Sequence, residues 1–575
     1  MATFSKTPST YSHSPSKHIV NLQPSNNQSH PHNWYSNTTG VYSSRHPSVT
    51  LPQEPFLDVV SHVFSHKHNG TTALIDAASG FSIPYSKLQP LVKSLASGLH
   101  HLLGVSKGDV VLILLPNSVY YPVILLGVLY LGAVVTTMNP FSSFSEVKKQ
   151  TLGTNVSMAF TGIDRVDELN SLGIQSVVVP EHVSLDSNDV TDGRFAPFYK
   201  LISGDHGLVR RRTVRQDDTA VILYSSGTTG ASKGVVLSHR NLISGVELFV
   251  RFEASQYEFV PEEMVYLAVI PMFHIYGLTL FNLGILSMGT KIVVMKRFNP
   301  DEMVRSIDRY GVTHFPGVPP LMIALTRAAK GGSGGRFKSL KQVSCGAAPL
   351  STKTIEEFMH AFPQVDFIQG YGMSESTAVG TRGFNTKDVH NYMSAGLLAP
   401  NTQAKVVDLV TGLHLPPGKT GELWLSGPAI MKEYLNDADA TSSTIDKDGW
   451  LHTGDIVYFD QDGYLHIVGR VKEIIKYKGF QIAPADLEDV LVTHPAVLDA
   501  AVTGVRDDEA GEVPVAFVVR RPGAEVSESS IIDFVAKQVA PYKKVRRVNF
   551  MNMIPRSAAG KILRRELKDQ SYSRL

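Results

Sequence analysis

Cysteine is almost absent from the 575 residues: Cys345 stands alone, so no internal disulfide can form and the chain suits a reducing compartment. An excess of one charge is also missing. Lys plus Arg number 54 against 52 Asp plus Glu, so no whole-molecule field argues for a nucleic-acid partner. No apolar run like the core of a secretory signal opens the chain; residues 1–50 are rich in Ser, Thr, Asn, His and Pro and read as a disordered extension. Arg is scarce there, which counts against a transit peptide. The sequons at Asn27, Asn37, Asn69 and Asn155 then read as chance. Charge is missing from residues 110–145, a length that matches a membrane span, yet Pro116, Asn117 and Pro122 interrupt it. Its parts match a strand at 110–115, a helix at 119–131 and a strand at 133–138, a unit buried on both faces. No repeat of a short fixed period is present.

What remains is an ordinary globular composition, 43% hydrophobic and 18% charged, in a chain too long for one core, so at least two domains are expected. From about 51 to 469, strand-like and helix-like runs alternate: strands at 265–270 and 291–295, helices at 279–286 and 301–310. Alternation implies parallel sheets covered by helices, with ligands at the strand ends. Past Arg470 the texture changes to a charged helix-turn stretch at 472–478, a strand pair at 500–505 and 513–520, a helix near 531–538 and a basic tail. The boundary falls at 470–472.

Behind the apolar residues 220–223, the run Ser225-Ser226-Gly227-Thr228-Thr229-Gly230-Ala231-Ser232-Lys233-Gly234 suits a phosphate. Glycines let backbone N–H groups turn toward an anion, hydroxyls donate further, and Lys233 supplies a mobile cation. It is not the Walker pattern, because Lys233 is followed by Gly234 and a strand-like run; the loop bridges two strands, and a flexible Gly/Ser hairpin is the plain alternative. Gln369-Gly370-Tyr371-Gly372-Met373-Ser374-Glu375 offers close approach at its glycines, a ring for a base and a carboxylate for a hard cation. Asp455, after His452-Thr453-Gly454, is placed to accept from ribose hydroxyls. Cys345-Gly346-Ala347-Ala348-Pro349 supplies small residues after a strand. Read separately, each of these is equally a turn or simple packing.

Taken together, with Gly421-Glu422-Leu423, Lys476-Tyr477-Lys478-Gly479-Phe480-Gln481 and Pro555-Arg556-Ser557 through Gly560-Lys561, these segments resemble the adenylate-forming superfamily of acyl-CoA synthetases, firefly-type luciferases and peptide-synthetase adenylation domains. The nearest group is the plant 4-coumarate:CoA ligases and ligase-like enzymes. The resemblance runs from about Gly40 to the C-terminus and implies an α/β fold: a large domain of doubly wound sheets (51–471) and a small mobile α+β domain (472–575). It implies ATP with Mg²⁺, a carboxylic acid and CoA, joined through an acyl-adenylate without a covalent enzyme intermediate.

By resemblance, Ser225 to Gly230 and Lys233 hold the ATP phosphates and Glu375 the metal. Gly346, Ala347, Ala348, Gln369, Gly370, Tyr371, Gly372 and Ser374 surround the adenine end, with Asp455 and Arg470 at the ribose. Lys472 matches the hinge of the small domain. Lys561 reaches the α-phosphate and acyl carboxylate, Lys476 and Gln481 come from the opposite face of that domain, and Lys478 and Gly479 meet CoA. His274 borders the acyl carboxylate; Ile275, Tyr276, Leu280, Ala347, Gly370, Gly372, Ala378 and Val379 line the acyl pocket. A satisfied core residue is the alternative for His274, and a solvated basic helix for Lys561, Arg564 and Arg565.

Ser376-Thr377-Ala378-Val379 departs from the Ala-Gly-Pro-Val that coumarate ligases carry after the motif glutamate, and Leu280 is bulkier than usual. A hydroxycinnamate therefore shares the field with a fatty acid or oxylipin precursor. The ending Ser573-Arg574-Leu575 resembles the peroxisomal address and implies an import receptor as partner, with the cytoplasm as alternative. A luciferase-like oxygenase and a non-catalytic nucleotide- or acyl-binding protein are the competing classes.

Overall fold

The apolar runs that carry no charge form strands covered on both faces. In the computed structural model, Val110–Leu114 and Val134–Thr137 lie parallel and adjacent, joined by the helix Tyr121–Tyr130, whose residues are buried from Tyr121 to Leu129. The segment thus folds as the strand, helix, strand unit that its prolines dictate. Among the described residues no helix is long and apolar enough to cross a membrane. The structure describes residues 34–181, 193–204, 213–225, 232–385, 390–478, 480–507, 509–558 and 560–572.

Four sheets organise these residues. One, of seven strands, runs from Glu433–Tyr434 through Lys233–Ser238, Thr219–Ser225, Val134–Thr137, Val110–Leu114 and Val156–Thr161 to Gln175–Val178. Its central pairs are parallel, and Thr219–Ser225 pairs antiparallel with Lys233–Ser238, so the Ser/Gly-rich run joins two neighbouring strands. The second, of nine strands, has Asp366–Tyr371, Gln342–Cys345, His314–Gly317, Val265–Ala268, Lys291–Val294 and Thr72–Asp76 side by side and parallel. The helix Pro300–Tyr310, opened by Asn299 bonding the Glu302 N–H and closed by the left-handed Gly311, is one of the covers.

Three expectations are corrected. Residues 34–50 are not a disordered extension: Tyr42–Ser43 pairs antiparallel with Gln403–Val407, and Tyr42 is fully buried because it packs into the core of that sheet. The alternation does not run as parallel structure to residue 469. Gln403–Val407, Gly421–Ser426, Leu451–Phe459 and Leu465–Arg470 form an antiparallel sheet, in which Gly421–Ser426 alternates buried and half-buried residues as a strand covered on one face does. Residues 472–478 are not a helix-turn stretch either: a turn at 471–473 leads into the strand Ile475–Tyr477, paired with Phe480–Ile482. Ile475 is buried and Lys476 exposed, an alternation too short to outweigh the charges in the sequence. The stretch at 279–286 is helical but wound as a π segment, Leu278–Gly284, followed by a 3₁₀ turn, Ile285–Met288.

The fourth sheet collects the C-terminal strands: Val497–Asp507 pairs antiparallel with Gly511–Arg520, which Arg547–Phe550 joins in parallel. Its apolar centre is separate from those of the earlier sheets, with Ile475, Leu487, Leu491, Val502 and Val518 in one cluster.

Candidate active site

Parallel strands deliver their loops to one edge. The loops after Gly317, Cys345 and Tyr371 converge on a cavity of about 430 Å³ lined by Pro319, Ala347, Ala348, Gly370, Tyr371, Gly372, Met373, Asp455, Arg470 and Lys561. One wall is the helix Pro319–Ala328, through Pro319, Ile323, Thr326 and Arg327; the facing wall is the helix Pro484–Thr493, through Pro484, Ala485, Glu488, Asp489 and Val492. The Lys353 ammonium, from the helix Thr352–Ala361, donates to the Val492 carbonyl of the second wall at 2.7 Å.

Small residues and unusual backbone shape the loops. Ala347 has φ +68°, and Thr377 and Ala378 have φ +53° and +62°, left-handed geometry that costs a non-glycine residue about 1 kcal/mol or more. The turn at 373–378 folds back so closely that a Cβ on Gly372 would lie 2.5 Å from the Ala378 carbonyl oxygen. Gly372 is therefore fixed by a backbone, not a side chain.

Asp455 is the buried anion of the cavity, 2% exposed. It faces Arg470 across the paired strands Leu451–Phe459 and Leu465–Arg470, with Arg470 Nε 3.0 Å from its Oδ1. The Tyr371 hydroxyl donates to Oδ2 at 2.6 Å. Desolvation raises the Asp455 pKa, against the opposing pull of Arg470 and Tyr371. Glu422 accepts from the Gly454 N–H at 3.0 Å and the Thr453 hydroxyl donates to the Leu423 carbonyl at 2.7 Å, so the Gly421-Glu422-Leu423 motif braces the turn that presents Asp455.

Lys561 enters this cavity from the C-terminal segment on a tight turn. Ser557 and Lys561 exchange bonds, the Ser557 N–H donating to the Lys561 carbonyl at 2.8 Å and the Lys561 N–H to Ser557 Oγ at 3.2 Å. Gly560, at φ +80°, lies so near the body that a Cβ there would stand 3.2 Å from Pro320. Arg556 donates to the Gly560 carbonyl at 3.2 Å and holds Asp499. Burial, and then Arg470, lower the Lys561 ammonium to about 8, while Glu473 and Asp455 oppose that shift. The solvated-helix alternative fails for Arg564, which lies in the helix Arg564–Tyr572 but is tied to Glu473 at 2.8 Å and to Glu488 at 3.1 Å.

Glu375, 6% exposed, sits in the 3₁₀ turn Ser374–Ser376. Its Oε1 accepts from the Tyr434 hydroxyl at 3.0 Å, and the Lys233 ammonium lies 4.7 Å over the Tyr434 ring. Ser225 Oγ, at the head of the Ser/Gly-rich run, is buried with no hydrogen-bond partner among the described residues. Ser226, Gly227, Thr228, Thr229 and Gly230 lie outside the described residues, as do Gly479 and the ending Ser573 to Leu575. Gln369 is engaged elsewhere, its amide donating to the Tyr392 carbonyl at 2.7 Å; Ser374 is half-buried in the turn before Glu375.

His274 caps the short helix Ile275–Gly277, its Nδ1 accepting from the Tyr276 N–H at 3.4 Å, which leaves the other ring nitrogen as the donor. Burial lowers it to about 4, so the ring is neutral. His274, Ile275, Tyr276, Leu280, Ala378 and Val379 do not line the cavity; Ile275, Tyr276, Leu280 and Val379 are buried. The Tyr276 hydroxyl is 3.3 Å from Ser344 Oγ, and behind Gly370 the buried pair Arg382 and Glu253 closes the region, with Arg382 Nη2 3.0 Å from Glu253 Oε1. Cys345 is buried and its thiol is pushed up to about 12.

Lys472 and Lys476 are exposed and do not line the cavity; Lys476 faces Gln481 in the strand register, and Lys478 sits beyond at φ +45°. Sequence reasoning missed Tyr434, Glu253, Arg382 and Glu473. Tyr434 and Glu375 are 59 positions apart, so no local spacing pairs them.

This constellation, a cavity between two segments with a buried carboxylate, a paired arginine and a lysine from the C-terminal segment, is that of an adenylate-forming enzyme. The chain belongs to the AMP-binding enzyme family, which it matches over residues 62–435, with the AMP-binding enzyme C-terminal domain over 486–561. It is 58% identical to 4-coumarate--CoA ligase-like 6 of Arabidopsis thaliana over 93% of this chain and 94% of the relative. Peroxisomal OPC-8:0-CoA ligase 1 of the same plant is 42% identical, with 93% and 96% covered. O-succinylbenzoate Coenzyme A Synthetase from Bacillus subtilis, solved with ATP and magnesium ion, superposes with TM-score 0.75 at 25% identity, covering 89% of this chain and 99% of that one. The protein is an AMP-forming acid–thiol ligase that makes an acyl-CoA through an acyl-adenylate.

Proposed function

We propose that the acid is one with a compact, flat body and a polar far end, a hydroxycinnamate. The observation that carries this reading is the polar group beside the acyl region: the Tyr276 hydroxyl against Ser344, backed by Arg382 and Glu253. A phenolic hydroxyl can join this hydrogen-bonded group, whereas a methyl-ended chain gains nothing from it. A fatty acid or oxylipin precursor is the second reading, favoured by the relative named Peroxisomal OPC-8:0-CoA ligase 1. A thioester assay of purified protein against hydroxycinnamates, fatty acids of graded length and cyclopentenone acids decides between them. Highest kcat/KM on 4-coumarate, with at least tenfold loss on cinnamate, supports the first reading; preference for the chain acids overturns it.

The site roles are those the resemblance implies, supported by the geometry at Tyr371, Asp455, Arg470 and Lys561. The acid's carboxylate oxygen forms a bond to the ATP α-phosphorus as the bond to the β-phosphate bridge breaks and pyrophosphate departs. Two anions meet in that step, and Lys561 brings a cation to them from the small domain. Asp455, oriented by Tyr371 and Arg470, accepts from the ribose; Gly346, Ala347, Ala348, Gly370 and Gly372 leave room for the adenine plane. Lys233 and the run from Ser225 to Gly230 take the outer phosphates, the unpartnered Ser225 hydroxyl among them. Glu375 is a hard oxygen donor with one oxygen on Tyr434 and suits Mg²⁺, which when bound neutralises phosphate charge. Neutral His274 donates to the acyl carboxylate without adding an ion. The CoA sulfur then attacks the carbonyl, the bond to AMP breaks, and the thiol proton leaves with solvent; Cys345, buried and protonated, takes no part.

The chain divides as a body at 51–471 and a small domain at 472–575 that turns about Lys472 between the half-reactions. Support comes from two lysines of the C-terminal segment: Lys561, on a turn, lines the cavity, and Lys476, on a strand, is exposed and does not. In the second half-reaction Lys476 and Gln481 replace Lys561, with Lys478 and Gly479 against CoA. The ending Ser573-Arg574-Leu575, together with a relative named as peroxisomal, supports import into peroxisomes.

A further inference from the structure

Outside the cavity lining, three side chains bring their ligand atoms to one spot. His62 lies in the helix Val59–Ser65 and His66 follows it directly, so the two rings share a face at a spacing of four residues. Glu247 comes from the π-wound segment Val246–Arg251, more than 180 residues later. His62 Nε2 is 2.9 Å from Glu247 Oε1, His66 Nε2 is 3.4 Å from the same oxygen, and the two ring nitrogens are 3.4 Å apart.

The His62–Glu247 approach is an ordinary hydrogen bond, while the two 3.4 Å separations are long for hydrogen bonds and suit a shared ion. Nitrogen and oxygen ligands about 2.0 to 2.1 Å from a tetrahedral zinc stand about 3.3 Å from one another. Two of the three edges already match, and the third has only to open by a few tenths of an ångström. The rings are nearly perpendicular, with centroids 4.8 Å apart, so the short approach of their nitrogens is not a stacking contact. His62 is buried, while the His66 and Glu247 side chains keep 21% and 16% exposure, which leaves an entry path and room for a water as fourth ligand. Arg251 lies 3.2 Å from the same Glu247 oxygen and also donates to the Ser287 carbonyl at 3.3 Å. It orients the carboxylate from outside the triangle, as second partners of metal-bound carboxylates do.

We propose that His62, His66 and Glu247 form a binding site for a divalent transition ion, zinc in the first instance, that clamps the N-terminal helix to the segment walling the acyl region. The mixed imidazole and carboxylate set selects zinc-like ions over magnesium or calcium, which take oxygen. Its place gives it a structural role. Phe249, two positions past Glu247, packs against Tyr276 with centroids 6.0 Å apart, and Glu253 a further turn on holds Arg382. A π-wound turn in this helix is itself a departure of the kind found at functional sites.

The test is a calorimetric titration of chelator-stripped, full-length protein with zinc chloride. Native protein takes up an equivalent with Kd of about 1 µM or tighter. His66→Gln and Glu247→Gln weaken that equivalent at least about tenfold, while His101→Gln, at an exposed position, leaves it unchanged. Equal titrations for native protein and both site variants, or no such equivalent in native protein, overturn the proposal. Should the variants fail to fold, anomalous scattering at the zinc edge from native crystals grown with zinc decides: a peak within bonding distance of all three side chains supports the site, and no peak there overturns it.

Discussion

Lys561 is the residue on which adenylation is expected to turn, and its environment gives that expectation a pH dependence. Burial and Arg470 bring its ammonium from the ordinary 10.5 down to about 8. In the free enzyme at pH 9 only about a tenth of Lys561 carries its charge, where an exposed lysine keeps nearly all of it. Because the charged form is the active one, kcat/KM for ATP falls as pH rises through about 8, approaching tenfold per pH unit; bound triphosphate favours the ammonium and moves the limb of kcat upward. For stability the sign is opposite: the unfolded chain holds this proton more tightly, so the cost of burying Lys561 is relieved as pH rises from about 8 toward 10.5. The perturbation is Lys561→Ala beside Lys561→Arg, assayed by acid-dependent pyrophosphate exchange from pH 6.5 to 9.5. Alanine lowers exchange by about 10²-fold or more, the size seen on losing other placed charge donors, or at least about 2.7 kcal/mol. Arginine keeps its proton throughout and abolishes the alkaline limb, whatever its rate. Alanine within threefold of native exchange, or an unchanged limb with arginine, refutes the assignment.

Other expectations are as direct. Lys476→Ala leaves pyrophosphate exchange near native and lowers thioester formation from supplied acyl-adenylate by about tenfold or more, while Lys561→Ala does the reverse; loss of the same half-reaction in both removes the rotating-domain reading. Glu253→Gln leaves the buried Arg382 guanidinium without its ion partner and lowers unfolding free energy by about 3 to 5 kcal/mol in denaturant titration, and a change under about 1 kcal/mol contradicts that environment. Gly372→Ala drives a Cβ against the Ala378 carbonyl and suppresses adenylation with little change in far-UV dichroism; full activity argues against the fold-back turn. Removing Ser573 to Leu575 moves a reporter-tagged protein from peroxisomes to the cytosol, and an unchanged distribution ends the targeting proposal.

Much of the fold was legible where sequence patterns are local. Prolines cut the uncharged stretch at 110–145 into its strand, helix and strand, and an apolar run either side of the Ser/Gly-rich loop identified a hairpin. Charge misled at 472–478, where Lys472, Glu473, Lys476 and Lys478 surround a strand of only three residues, Ile475–Tyr477. The π winding of Leu278–Gly284 has no local signature in the sequence; its last residue, Gly284, lies so close to Val250 that a Cβ would stand 2.5 Å from that side chain. The motif residues around the nucleotide were named from resemblance, and several gather at one cavity. Their partners were not readable. Tyr371 and Asp455 stand 84 positions apart, and Glu253 and Arg382 129, so only the folded sheets bring them together.

A crystal structure of the enzyme with its acyl-adenylate bound tests the proposed division of labour at its centre. The Lys561 ammonium is expected within about 3 Å of an oxygen of the α-phosphate or the acyl carboxylate, with Asp455 on the ribose hydroxyls. A complex in which Lys561 stays clear of the mixed anhydride, while the small domain still closes over it, contradicts the account.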